Sequence, residues 1–221
     1  NCDAGTYAST AGSNSKSSCL RCVAGKFSTV TASASSTTCF DCAAGKYSEE
    51  LGAHTAGTCS NCAAGTYSSQ RGSASSTSCV DCGAGKFSTR TASQSSTTCV
   101  KCAAGKYSAS VGASMATDCL DCSKGKFSGT LGAVTISACF QCGAGKYLPV
   151  EGSVDEGDCL KCSAGTFSAT LGATALDLCT ACPDESTATR GSRAVTDCVC
   201  NMGYSGPNGA TCTACGFGTY K

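Results

Sequence analysis

Cysteine is the one reactive side chain that this chain carries at high density, with 23 in 221 residues. Cys-x-x-Cys pairs stand at 19/22, 39/42, 59/62, 79/82, 99/102, 119/122, 139/142, 159/162 and 179/182, always 20 residues apart. Three chemistries use such pairs. A dithiol enzyme needs one reactive pair at a lowered thiol pKa, so nine copies at one period argue for structure instead. A zinc site needs four thiolates, and Cys19-x2-Cys22-x16-Cys39-x2-Cys42 has that spacing. Zinc would, however, consume the nine pairs two at a time and leave Cys2 and Cys198-x-Cys200 outside the scheme.

Disulfides account for more of the sulfur. Joining the second Cys of each pair to the first of the next gives Cys2–Cys19, Cys22–Cys39, Cys42–Cys59, Cys62–Cys79, Cys82–Cys99, Cys102–Cys119, Cys122–Cys139, Cys142–Cys159 and Cys162–Cys179. Cys182–Cys198 and Cys200–Cys212 follow, and Cys215 is left over, with a partner expected beyond Lys221. Interlocked pairings satisfy the same count. A cysteine density of this order belongs to an oxidising compartment, so the expected location is extracellular or at the cell surface, a surface appendage included.

Other chemistry is sparse. The single His, His54, has no nucleophile assigned to it and reads as a surface residue. Asp41, Asp81 and Asp121 lie between paired cysteines but alternate with Asn61, Lys101 and Gln141, which suits solvated loop positions better than a working carboxylate. There is no calcium loop and no phosphate-binding Gly-x-x-x-x-Gly-Lys-Ser/Thr. Lys26, Lys46, Lys86, Lys106, Lys126 and Lys146 form a row at the repeat period that reads as a solubilising face, with an acidic glycan as its alternative ligand. A formal net charge of +1 without a basic run gives no footprint for nucleic acid. No stretch approaches a membrane span, and Asn1–Gly5 is not a signal peptide. The expectation is a chain without catalytic residues, cofactor or metal.

Ser and Thr together number 60. No Asn-x-Ser/Thr acceptor occurs, so sugars are expected only as O-linked glycans, on the runs Ser35, Ser36, Thr37; Ser75, Ser76, Thr77; and Ser95, Ser96, Thr97.

The elements that hold the cysteines follow from the same period. Gly stands three residues after the second Cys, and an aromatic two residues later: Tyr7, Phe27, Tyr47, Tyr67, Phe87, Tyr107, Phe127, Tyr147 and Phe167. The x-Ala-Gly segment predicts a turn whose Gly takes positive φ. Aromatic-Ser predicts a short strand. A Gly or Ala five residues after the aromatic and a Ser/Thr-rich stretch lead to the next Cys, with no helical periodicity. With one Ile, nine Leu and no Trp, the chain cannot build one thick core. The aromatics and disulfides are therefore expected to form a small core in each repeat. Stacked repeats should touch only their neighbours, giving small disulfide-rich repeats in an elongated rod or solenoid of ~20-residue modules with short β-hairpins and little helix.

Residues 1–181 read as tandem repeats with a partial first copy, 182–212 as a variant module, and 213–221 as the start of another repeat, with Gly218 and Tyr220 back in phase. The chain thus reads as a window on a longer protein. Residues 22–182 show no break, so any binding site is sought in the variant module.

The pattern Cys-x-x-Cys-x-Ala-Gly-Lys/Thr-Phe/Tyr-Ser…Gly…Cys resembles the cysteine-rich repeats of ephrin-receptor ectodomains and the first half of tumour-necrosis-factor-receptor modules. The segment from Cys179 through Cys182-Pro183, Cys198-Val199-Cys200 and Gly203-Tyr204 to Cys215 is the nearest match, with EGF-like spacing. Only Cys182 is followed by the Pro common in that family. The resemblance implies an extracellular glycoprotein: a structural rod, filament or surface-coat segment that associates with itself or with other extracellular proteins. A receptor-type ectodomain binding a protein ligand is the alternative.

Overall fold

The computed structural model describes residues 1–10 and 15–216. Gly218 and Tyr220 lie outside them. The chain divides into two compact units, Asn1–Cys102 with Ala109–Cys119, and Ala103–Ser108 with the chain from Leu120 onward.

From Cys22 to Cys200 each repeat is built in the same order: turn, short strand, a bend at a positive-φ Gly or Ala, one-turn 3₁₀ helix, returning strand. In the repeat beginning at Cys22, the amide of Lys26 donates to the Val23 carbonyl at 3.1 Å and closes the turn. Gly25 holds φ 84° there, the positive value that the third residue of a type II turn requires. Lys26–Phe27 then pairs antiparallel with Phe40–Asp41. Between the strands, Ser36–Thr38 forms the 3₁₀ turn, capped by Ser35, whose hydroxyl accepts from the Thr37 amide. The Ser/Thr-rich stretch is thus a capped turn, because short hydroxyl side chains satisfy amides that a single turn leaves unpaired. At the turn Ala116–Asp118, which Met115 precedes, an acid at the end of the turn instead accepts from the amides that lead into it: Asp118 accepts from Ser114 and Met115, both at 2.9 Å.

Eleven two-stranded hairpins and ten 3₁₀ turns recur along the described residues, with no α-helix among them. This is a tandem ~20-residue, disulfide-rich repeat fold. The variant module keeps the plan in its first hairpin, where Ser186–Thr187 pairs with Val199–Cys200; beyond it Tyr204–Ser205 pairs with Thr213–Ala214 across a shorter loop that has no 3₁₀ turn.

Repeats join through their backbones. In the first unit the amides of Gly25, Gly45 and Gly65 donate to the carbonyls of Ser48, Ser68 and Ser88, each within 2.8 Å. Phe27, Tyr47 and Tyr67 form parallel bridges to Ala53, Ser73 and Ser93. The second unit repeats the arrangement, for example Gly125 to Leu148 at 2.9 Å and Phe127 beside Ser153. Contacts also reach further than the neighbour-only stacking expected from sequence. Gly25 lies so close to the backbone of Gly72, two repeats on, that a Cβ on Gly25 would stand 2.6 Å from the Gly72 carbonyl carbon. The glycine bend of one repeat folds back over the repeat before it, as the 2.8 Å bond from the Gly72 amide to the Cys42 carbonyl shows, and this brings it against the turn of the repeat before that.

Candidate functional site

The cysteines come first. Cys2–Cys19 through Cys162–Cys179 are all bridged with a sequence separation of 17, followed by Cys182–Cys198 and Cys200–Cys212. Cys215 is the one free cysteine among the described residues. The sulfurs that a zinc site would use are therefore already bonded to one another. No group of three or more His, Cys, Asp or Glu among the described residues is placed to hold a metal. His54 is exposed.

The aromatics do not form the centre of the core expected of them. Tyr7, Phe27, Tyr47, Tyr67, Phe87, Tyr107, Phe127, Tyr147 and Phe167 are all half-buried. A hairpin two residues long is too small to cover a ring, so each aromatic shares an outer face with its cross-strand partner. Phe27 meets Phe40 with ring centroids 6.3 Å apart, and Phe127 meets Phe140 at the same distance. What is closed off from water is smaller: Cys22, Cys42, Cys62 and their equivalents, the residue after each aromatic from Phe27 to Phe167 (Ser, or Leu148 after Tyr147), and Ala53 and its equivalents. The partners of the aromatics remain open, with Phe40, Val80, Val100, Leu120 and Phe140 all more than half exposed.

Among the proposed glycan acceptors the hydroxyls separate by role. Ser35, Ser75 and Ser95 are the caps, each accepting from the amide and the hydroxyl of Thr37, Thr77 and Thr97. Ser36, Ser76 and Ser96 are exposed, and their hydroxyls take no part in that network.

The lysine row is not uniform. Lys26 and Lys106 reach Asp41 and Asp121 directly across their hairpins, both at 2.6 Å. Lys86 stands opposite Lys101, so that hairpin carries two like charges face to face. Neither of them, nor Arg90, has a carboxylate partner among the described residues.

One cavity stands apart, and it is not in the variant module where a site was sought. In the repeat beginning at Cys142, Leu148 replaces the serine that follows every other aromatic from Phe27 to Phe167. Leu148 is 1% exposed and packs on the Cys142–Cys159 bridge and Phe127. With Pro149, Val150, Val154 and Leu160 it lines an open cleft of about 550 Å³. Polar groups on its rim include Glu151 and Asp158. Lys146 is drawn to Glu156 at 2.7 Å instead of across its own hairpin, where Lys161 stands opposite. Asp158 is engaged by the amides of Val154 and Asp155, both at 3.2 Å, while Glu151 is exposed. Sequence reading passed over this repeat because its cysteines, Gly145 and Tyr147 keep the period. The signal was Leu148-Pro149 in place of Ser-x. No protein-family model and no curated protein matches the sequence.

Proposed function

We propose that the chain is a non-enzymatic extracellular structural segment, a spacer in a rod, filament or surface coat of the ephrin-receptor-like cysteine-rich type. The observation that carries this reading is the uniformity of its joints. Repeat after repeat closes its own disulfide, donates from the same glycine amide, and bridges from the same aromatic. Joints repeated in this way suit a load-bearing or length-setting element. Eleven bridges suit an oxidising compartment, and no helix among the described residues is long and apolar enough to cross a membrane. Ser36, Ser76 and Ser96 are the acceptors best placed for O-linked sugars, since modifying them leaves the turn caps intact. Small-angle scattering or electron microscopy tests the reading. A long, thin particle is expected, and a compact globule with the first and last repeats in contact overturns it.

The second reading, a receptor-type ectodomain, is favoured by the cleft at Leu148–Leu160 alone. A one-to-one complex with a protein ligand, abolished by filling that cleft, would decide for it.

A further inference from the structure

Two hairpins set a lysine directly opposite a lysine, Lys146 with Lys161 and Lys86 with Lys101. Like charges in that position repel each other. In the first hairpin Lys146 bonds at 2.7 Å to Glu156, the residue at the head of the 3₁₀ turn Glu156–Asp158. In the second, Ser96 heads the corresponding turn, Ser96–Thr98. Residues 82–101 contain no Asp or Glu, and neither lysine has a carboxylate partner among the described residues. The two repeats are otherwise built alike. The turn head follows the first lysine by the same interval, an extended residue (Asp155 or Ser95) precedes it, and a bridge of separation 17 closes behind it. The Ser96 hydroxyl is exposed and lies outside the cap network of Ser95 and Thr97. Ser36 and Ser76 occupy the same place in their repeats but lack the unpaired lysine: Lys26 is joined to Asp41 at 2.6 Å, and Thr66 stands where Ser76 would need a lysine.

We propose that Ser96 is a phosphorylation site, and that its phosphoryl group bonds to Lys86 as Glu156 bonds to Lys146. The reach is right. Cβ, Cγ, Cδ and Oε of a glutamate correspond atom for atom to Cβ, Oγ, phosphorus and a terminal oxygen of a phosphorylated serine. The carboxylate of an acidic O-linked sugar stands several bonds further from the main chain and does not match Glu156. The charge is right as well. A serine phosphate carries about −1.5 to −2 at neutral pH, so it serves Lys86 and the neighbouring Lys101 together, which one carboxylate does not. The donor is a nucleoside triphosphate and the catalyst a separate kinase. Ser96 Oγ forms its bond to the γ-phosphorus as the bond from that phosphorus to the bridging oxygen breaks. The nucleoside diphosphate leaves, the hydroxyl proton passes to the kinase's base, and nothing is oxidised or reduced. The proposal rests on the reading that the exposed turn hydroxyls are modified, and it gives Ser96 a different group from Ser36 and Ser76.

Two measurements test it. Peptide mass spectrometry of the protein from its natural source should find the mass of one phosphoryl group on Ser96, removable by phosphatase. An unmodified Ser96, or a sugar on it, overturns the proposal. The second measurement uses the oxidised chain made with phosphoserine encoded at position 96, its disulfides mapped to show that it is folded. Phosphorus NMR follows the second ionisation of the phosphate, which lies near pH 6 in an unstructured serine phosphate. Adjacent ammonium groups favour the dianion, so the midpoint should fall by about half a unit or more below that of the same chain reduced and unfolded. Lys86→Gln should return most of that shift, and the exposed Lys101→Gln a smaller part. A midpoint equal in the folded and unfolded chains, or unmoved by both variants, overturns the pairing. The readings fail separately. Sugars on Ser36 and Ser76 with none of the expected phosphate on Ser96 sink the phosphorylation alone, whereas phosphate on Ser96 with bare Ser36 and Ser76 sinks the sugars alone.

Discussion

The turn at Gly25 lies on the backbone of Gly72, two repeats further along, with no room for a methyl group between them. The same relation holds for Gly45 with Ala92 and Gly65 with Gly112 in the first unit, and for Gly105 with Gly152 and Gly125 with Gly172 in the second. Within each unit these repeats are therefore held by the next and by the one after it.

Replacing Gly25 by Ala should destabilise the array by more than about 3 kcal/mol, because positive φ and backbone overlap act together. Gly72→Ala should cost less. Its Cβ would meet the side chain of Asp41, which can turn away, as well as holding φ 68°. Denaturant melts of the two single variants, under oxidising conditions, give the order directly.

Ala92 occupies the glycine-bend position with φ 53°. An Ala in that region bears strain that Gly does not. Ala92→Gly should raise stability by about 0.5–1 kcal/mol despite the added freedom of the unfolded chain. A lower melting point for the variant would show that the Ala methyl makes a contact worth more than the strain.

Leu148→Ser restores the residue found at the same place in neighbouring repeats. It should cost about 2–4 kcal/mol, since a fully buried side chain leaves a gap beside the Cys142–Cys159 bridge. Thermal unfolding monitored by circular dichroism measures the loss, and hydrogen exchange should localise it to residues 142–161.

The bridges make a plain prediction. Non-reducing peptide maps should recover Cys22 with Cys39 and Cys42 with Cys59, and reduction should abolish order along the chain, because so little large apolar surface is buried. Recovery of Cys19 with Cys22, or a folded fragment surviving strong reductant, would contradict it.

Asp197 gives a pH dependence. The backbone amides of Arg193 and Ala194 donate to its carboxylate at 2.6 and 3.0 Å and hold its pKa below the usual carboxylate value, with Arg193 the larger influence. A depressed folded pKa means that the contribution is complete above the unfolded-state pKa. It is lost as pH falls through the folded one. The protection of the Arg193 and Ala194 amides, relative to their intrinsic exchange rates, should fall on acidification in the wild type and be absent at all pH values in Asp197→Ala.

The unbroken period determined the module length, and its Gly and aromatic positions the turn-strand order; serial and interlocked bridging both satisfied the cysteine count, and only the fold of each repeat, which doubles back over 17 residues, decided for the serial scheme. Phe27 and its equivalents announced a strand but not their exposure, which depends on how little a two-residue hairpin can cover. Gly25 announced a turn, yet its contact with Gly72 arises from the bend of one repeat lying over another, a relation that no local pattern encodes. The cleft was least legible of all. Leu148 is one substitution inside an intact period, and only its packing on the Cys142–Cys159 bridge, with Val150, Val154 and Leu160 left around it, turns that substitution into a cavity.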